Sequence, residues 1–276
     1  MHSFQCHTPM LDPVELVLRR IAQRTLAGSL PRGPVTSGSC QGLELDVAEG
    51  LVGCAGRRPQ GLRSHGVAQT AGKYADFLSD AAHLEAASVV AFERLADELR
   101  SHGAPSQLIN QALAARADEV KHAQRVGELA RAHGGEPVAV DVAPPGHRSL
   151  FEIAVENAVE GCVRETYGAL VGAYQAARAR DLQLRMAMRS IASDEARHAA
   201  LAHAVQAWAL PQLTASEREQ LRRAQVDAVF ELAKECQAEL DPELQEQAGL
   251  PSRGVASALV GELTRELWSE SGIRAA

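Results

Sequence analysis

Asp118-Glu119-Val120-Lys121-His122-Ala123 and Asp194-Glu195-Ala196-Arg197-His198-Ala199 share the pattern D-E-x-[KR]-H-A. In a helix, a glutamate and a histidine three residues apart lie on one face, about a turn apart. One carboxylate and one imidazole can then reach the same metal ion. A single E-x-x-H arises often by chance in a Glu-rich helical chain. Two copies are more specific, and the repeat extends further. Glu85 precedes Glu119 by 34 positions, and Glu160 precedes Glu195 by 35. Each half of this region therefore offers Glu, then Glu-x-x-His. Four carboxylates neutralise two divalent cations, whereas alone in a core they repel one another and lose hydration. Solvated surface residues or buried Glu–His hydrogen bonds are the alternatives to metal binding.

Such residues need long helices to converge. The chain is 46% apolar and only 4% aromatic, and Ala, Leu, Glu and Arg are frequent. That composition suits helices better than strands. Periodicity and punctuation predict four long helices between about 70 and 210. The first covers 70–102 and stops at Gly103. The second follows Pro105-Ser106 and ends at Gly134-Gly135. The third begins at Ser149, where Glu152 completes a capping box, and runs to about 178. The fourth starts near Asp181 and stops before Pro211. The joins GAPS and RARD are short, which forces antiparallel neighbours, while GGEPVAVDVAPPGHR is a long crossover. Two helical hairpins joined by one crossover is ferritin-like connectivity. The expected fold is therefore all-α, with a ferritin-like four-helix bundle over 68–211. An irregular appendage precedes it over 1–67, with one short helix over 14–26. Two further helices follow over 212–276, starting at Thr214 and near Val255. They either pack on the bundle or form the contact of a homodimer.

Helical phase is a separate test. Leu78, Glu85, Phe92 and Leu99 recur every seven residues. Leu108, Ala112, Ala115, Glu119, His122, Val126 and Leu129 alternate spacings of four and three. Ile153, Glu156, Glu160, Val163, Tyr167, Leu170 and Tyr174 do the same, as do Leu184, Met188, Ile191, Glu195, His198, Ala202 and Val205. Each is a core seam, and Glu85, Glu119, His122, Glu160, Glu195 and His198 all interrupt one. A Glu from each of two helices, plus Glu-x-x-His from each of the other two, is the ligand set of di-iron and di-manganese carboxylate proteins. In the third helix Glu160 fits both phase and spacing. Glu156 is a further ligand or an outer acid. Glu165 shares a strip with Ala158, Gly161, Cys162, Ala169 and Gly172 and reads as a salt-bridge or surface charge. Tyr167, two turns beyond Glu160, is the candidate catalytic side chain, with core packing as its alternative. Asp118 and Asp194 either accept hydrogen bonds from ligand histidines of neighbouring helices or pair at the surface. His83 and His203 read as bystanders, and His2, Cys6 and His7 are discounted.

The segments HLEAASVVAFERLADEL, ADEVKHA, VEGCVRETYGAL and IASDEARHAALAHAV resemble the ferritin-like superfamily, and within it a ferritin-like domain group without known substrates. The resemblance covers about 70–210. It implies Glu85, Glu119, His122, Glu160, Glu195 and His198 as ligands of two iron ions, or of a manganese or mixed Mn/Fe pair. The chain lacks the rubredoxin-type CxxC of rubrerythrins. Val163 stands where rubrerythrins carry a further carboxylate, and Ile191 where arylamine N-oxygenases carry an extra histidine. The set is closer to the symmetric sites of bacterioferritin and of demethoxyubiquinone-type hydroxylases. The resemblance implies a di-iron oxidoreductase that activates O₂ or peroxide on a small-molecule substrate, with substrate and electron donor unnamed. A ferroxidase or iron-storage protein, a manganese catalase and a non-catalytic helical interaction module are the competing readings.

The formal net charge of −7 argues against a nucleic-acid partner. No apolar run reaches the roughly 20 residues of a membrane span, and the first 20 residues do not read as a signal peptide. Five scattered cysteines read as reduced thiols of a cytoplasmic protein. Cys40 and Cys54 flank a segment of hairpin character; a disulfide between them would instead indicate export.

Overall fold

The computed structural model describes residues 12–28, 56–63, 72–144 and 146–269. These are all-α, with an isolated antiparallel bridge between Leu62 and Val142 and no strand among them. Helix α1, Pro13–Leu26, begins where Asp12 accepts a hydrogen bond from Val14 N and proline occupies the first turn. Helices α2, Lys73–Ser101, and α3, Ser106–Ala132, are joined by a tight turn. Gly103 there adopts φ 71°, which side chains other than glycine rarely tolerate, and Ala104 N reaches back to Leu99 O. The return is antiparallel and the two helices pack along their length.

Helix α4, Leu150–Glu156, starts with the expected Ser149–Glu152 capping box. It runs on as a π-helical segment, Asn157–Glu165, and then as α5, Thr166–Arg178. Asp181 caps α6, Leu182–Ala209, by accepting from Gln183 N and Leu184 N. The π-helical segment and α5 pack along α6, and α6 packs on α3. The later helices are α7, Ala215–Glu235, with its Thr214–Glu217 capping box, α8, Pro242–Gln247, and α9, Arg253–Leu263. They pack back onto this unit: α7 on α4 and the π-helical segment, and α9 on α1 and α5. A second π-helical segment, Thr264–Trp268, ends in a fully buried indole that donates to Cys162 O at 2.9 Å.

Two apolar clusters divide the helices into layers. One gathers Phe77 and Leu78 of α2, Val126 and Leu129 of α3, Leu170 of α5 and Met188 and Ile191 of α6. The other gathers Phe92, Leu95 and Leu99 of α2, Leu108 and Ala112 of α3, Ile153 of α4 and Leu201 and Val205 of α6. Burial of each large side chain contributes about 1.5–3 kcal/mol. Residues 85, 119, 122, 195 and 198 fall between these clusters along α2, α3 and α6. The packing on both sides therefore holds a dry polar layer in place.

No helix among the described residues is long and apolar enough to cross a membrane. Cys162 and Cys236 are buried free thiols. Cys40 and Cys54 lie outside the described residues, as do His2, Cys6 and His7.

Candidate metal centre

Two groups of four donors occupy the polar layer. Glu85, Glu119, His122 and Glu195 offer ligand atoms that all lie within 4.8 Å of one another, as do Glu119, Glu165, Glu195 and His198. The groups share Glu119 and Glu195, the glutamates of the two E-x-x-H motifs. All six side chains are buried, from Glu119 at 0% exposure to Glu195 at 4%.

Both imidazoles turn Nδ1 inward. Nδ1 of His122 is 3.6 Å from Glu85 Oε2, 3.6 Å from Glu119 Oε2 and 3.4 Å from Glu195 Oε1. Nδ1 of His198 is 3.1 Å from Glu119 Oε1 and 3.8 Å from Glu195 Oε2. On the outer side, Nε2 of His122 lies 3.0 Å from Asp194 Oδ2, and Nε2 of His198 lies 3.9 Å from Asp118 Oδ2. Arg197 and Lys121 hold these aspartates in turn.

The layer is short of positive charge and of hydrogen-bond partners. Glu85 Oε2, both oxygens of Glu119 and of Glu165, Glu195 Oε1 and Nδ1 of both histidines are buried without one. Native interiors seldom leave so many polar atoms unpaired in one place. Burial and the Glu119 charge push Glu85 well above the usual carboxylate range. Burial also pushes Glu165 up to about 8. Burial alone would lower both histidines, yet the surrounding carboxylates hold them well above their ordinary value. The site draws in protons where cations are wanting.

Glu160, 15% exposed, lies outside both groups. It accepts from Arg58 N at 3.2 Å and faces Arg164 at 3.9 Å. Glu156 binds Arg148 and accepts from Gln60 N. The cause is the π-helical segment. Its i→i+5 bonding packs more residues into each turn than an α-helix does, so helical phase counted from Ile153 rotates off the core by residue 160. Asn157, Gly161 and Glu165, spaced by four, take the inward face and are buried. The sign of this was the small-residue strip around Glu165, which marks a face in close helix contact. A Cβ on Gly161 would come within 2.5 Å of Ala202 Cβ and 3.3 Å of Glu165 Oε2. Tyr167 is buried in the first apolar cluster, where its hydroxyl accepts from Cys236 Sγ at 3.3 Å. His83 approaches Val138 O at 2.9 Å, and neither it nor His203 joins the donor groups.

Sequence spacing did not point to residues 56–63, which run between α2 and the α4–π-helical stretch. Arg57 N donates to Ser88 Oγ of α2 at 3.0 Å. Arg58 N and Gln60 N donate to Glu160 and Glu156 across the gap.

No protein-family model matches the chain, and no curated protein or solved structure is similar to it at a significant level.

Proposed function

We propose that the chain is a ferritin-like di-metal carboxylate protein, with iron as the metal pair, acting as an oxidoreductase on O₂ or peroxide. The observation that carries this reading is the pair of buried donor groups sharing Glu119 and Glu195. Glu85 and His122 would belong to one metal position, Glu165 and His198 to the other, with Glu119 and Glu195 between them. The residues fit such a group on two counts. The orphaned oxygens and inward nitrogens are the atoms a cation would satisfy. Carboxylate and imidazole donors also suit iron and manganese.

A bound iron pair would supply the redox electrons for reduction of O₂ or peroxide. The chain's own contribution is placement and dryness. Asp194, 3.0 Å from Nε2 of His122, would accept its proton once metal is bound, fixing the tautomer that leaves Nδ1 as the donor atom. The apolar clusters on either side exclude water from the layer and keep electrostatic interactions strong.

The test is anaerobic Fe(II) loading followed by oxygen. The expected result is two irons per chain and an oxygen-dependent absorption change. No uptake, or no response to oxygen, removes the proposal. A solution mass of cage size would move the reading to iron storage, since the same donors serve both.

A further inference from the structure

Residues 56–63 carry one cation into the polar layer. Arg57 is 1% exposed. Its Nη2 donates to Asn157 Oδ1 at 3.0 Å, and Asn157 donates to Ala202 O of α6 at 2.8 Å. Its guanidinium carbon sits 5.8 Å from the Phe92 ring centroid, and that ring lies 5.0 Å from the His198 imidazole. Nη1 is 3.9 Å from Glu165 Oε2, too far for a hydrogen bond. Nε and Nη1 are buried without an acceptor. The segment is seated closely: a Cβ on Gly56 would come within 2.7 Å of Ser88 and 3.3 Å of Glu119 Oε2.

Charge balance gives this arginine a meaning. A guanidinium does not lose its proton inside a protein. Glu85, Glu119, Glu165 and Glu195 together cancel two divalent cations. Arg57 then keeps a buried positive charge with no carboxylate within hydrogen-bond reach, which is unfavourable. Assigning Glu165 to Arg57 instead only moves the excess onto the metals. The outer acids do not reach it: Asp118 and Asp194 are engaged with Lys121 and Arg197, and Glu160 accepts from Arg58 N while Arg164, 3.9 Å away, is bidentate to Glu235.

We infer that Arg57 is one half of a binding site for a small monoanion, whose other half is the metal position beside Glu165 and His198. The inference rests on the di-metal reading. The ligand class is a carboxylate or an inorganic monoanion that docks on the two free guanidinium donors and the metal together.

Azide and formate are the probes, titrated into the iron-loaded full chain and followed by absorption, with iron content measured on the same samples. Wild type is expected to bind azide. Arg57→Gln should keep two irons and bind azide about tenfold more weakly, or about 1.4 kcal/mol. Arg57→Lys should recover part of the loss. Displacement of azide by formate supports a carboxylate ligand, and azide binding that formate does not displace supports an inorganic one. Equal azide affinity in wild type and a fully loaded Arg57→Gln overturns the role of Arg57. Absence of azide binding to loaded wild type overturns it without any variant. Fewer than two irons per wild-type chain overturns the di-metal reading itself, and this inference with it.

Discussion

Nε2 of His122 on α3 lies 3.0 Å from Oδ2 of Asp194 on α6, so the aspartate of one motif serves the histidine of the other. The reciprocal pair, His198 and Asp118, is looser at 3.9 Å. An outer acid of this kind fixes ring orientation and raises donor strength, and its loss typically costs about 10–100-fold in metal affinity. Asp194→Ala should weaken metal binding by about that factor, read by competition with a chromophoric chelator. Asp118→Ala should do less, because its contact is beyond hydrogen-bond reach. Equal losses would show that the aspartates act through general charge and not by holding the rings.

Glu165 and Glu160 make opposite predictions. Glu165→Gln should lower metal content from two ions per chain to one, because it removes a charged donor from the group around His198. Glu160→Gln should leave both, because Glu160 faces Arg58 and Arg164 instead. Elemental analysis of the purified variants decides. The reverse pattern would return the ligand role to Glu160.

The all-α class, the long helices, their capping boxes and the burial of Glu85, Glu119, His122, Glu195 and His198 were all legible from spacing. They rest on α-helical periodicity, which holds through α2, α3 and α6. It fails in the third long helix, where the π-helical segment changes the residues per turn between Asn157 and Glu165. Within VENAVEGCVRE only the small residues beside Glu165 hint at the inward face, and nothing there announces the change in residues per turn itself. The cross-pairing of Asp194 with His122 was one of two readings open in the sequence, since each aspartate precedes the glutamate of an E-x-x-H motif and could serve a histidine of the neighbouring helix or pair at the surface. Nothing of the kind pointed to Arg57. It lies in an irregular stretch of the sequence, and its place depends on contacts with Ser88 and Asn157, 31 and 100 positions away.

Metal should stabilise this fold, and the metal-free layer should strain it. Burying like charges without a counter-ion is unfavourable, and replacing buried ionic groups by apolar ones is often neutral or stabilising by about 1–4 kcal/mol. The metal-free Glu119→Leu, His122→Leu double variant should therefore unfold no earlier than metal-free wild type. Wild type alone should gain from added metal, by about 2.7 kcal/mol when the free ion is at 100 times its dissociation constant. Denaturant titrations with and without Fe(II) or Mn(II) measure both. If metal never raises wild-type stability, a non-catalytic helical module becomes the better account of the same packing.

His203 sets a pH dependence that is independent of the metal. It lies partly buried on α6, and its Nε2 has no hydrogen-bond partner. Burial lowers its pKa from 6.5 to about 4, with Asp12 pulling weakly the other way. Between those values the unfolded chain takes up a proton that the folded chain refuses. Stability from this group is thus fully present above pH 6.5 and declines as pH falls toward 4. His203→Leu removes the protonation difference. In the metal-free protein, the variant's stability relative to wild type should rise as pH drops from 7 toward 4.5, by at most about 1.4 kcal/mol per pH unit. Other acid-sensitive carboxylates are common to both proteins and cancel in the difference. Parallel stability curves would mean that His203 takes its proton as readily in the fold as in water.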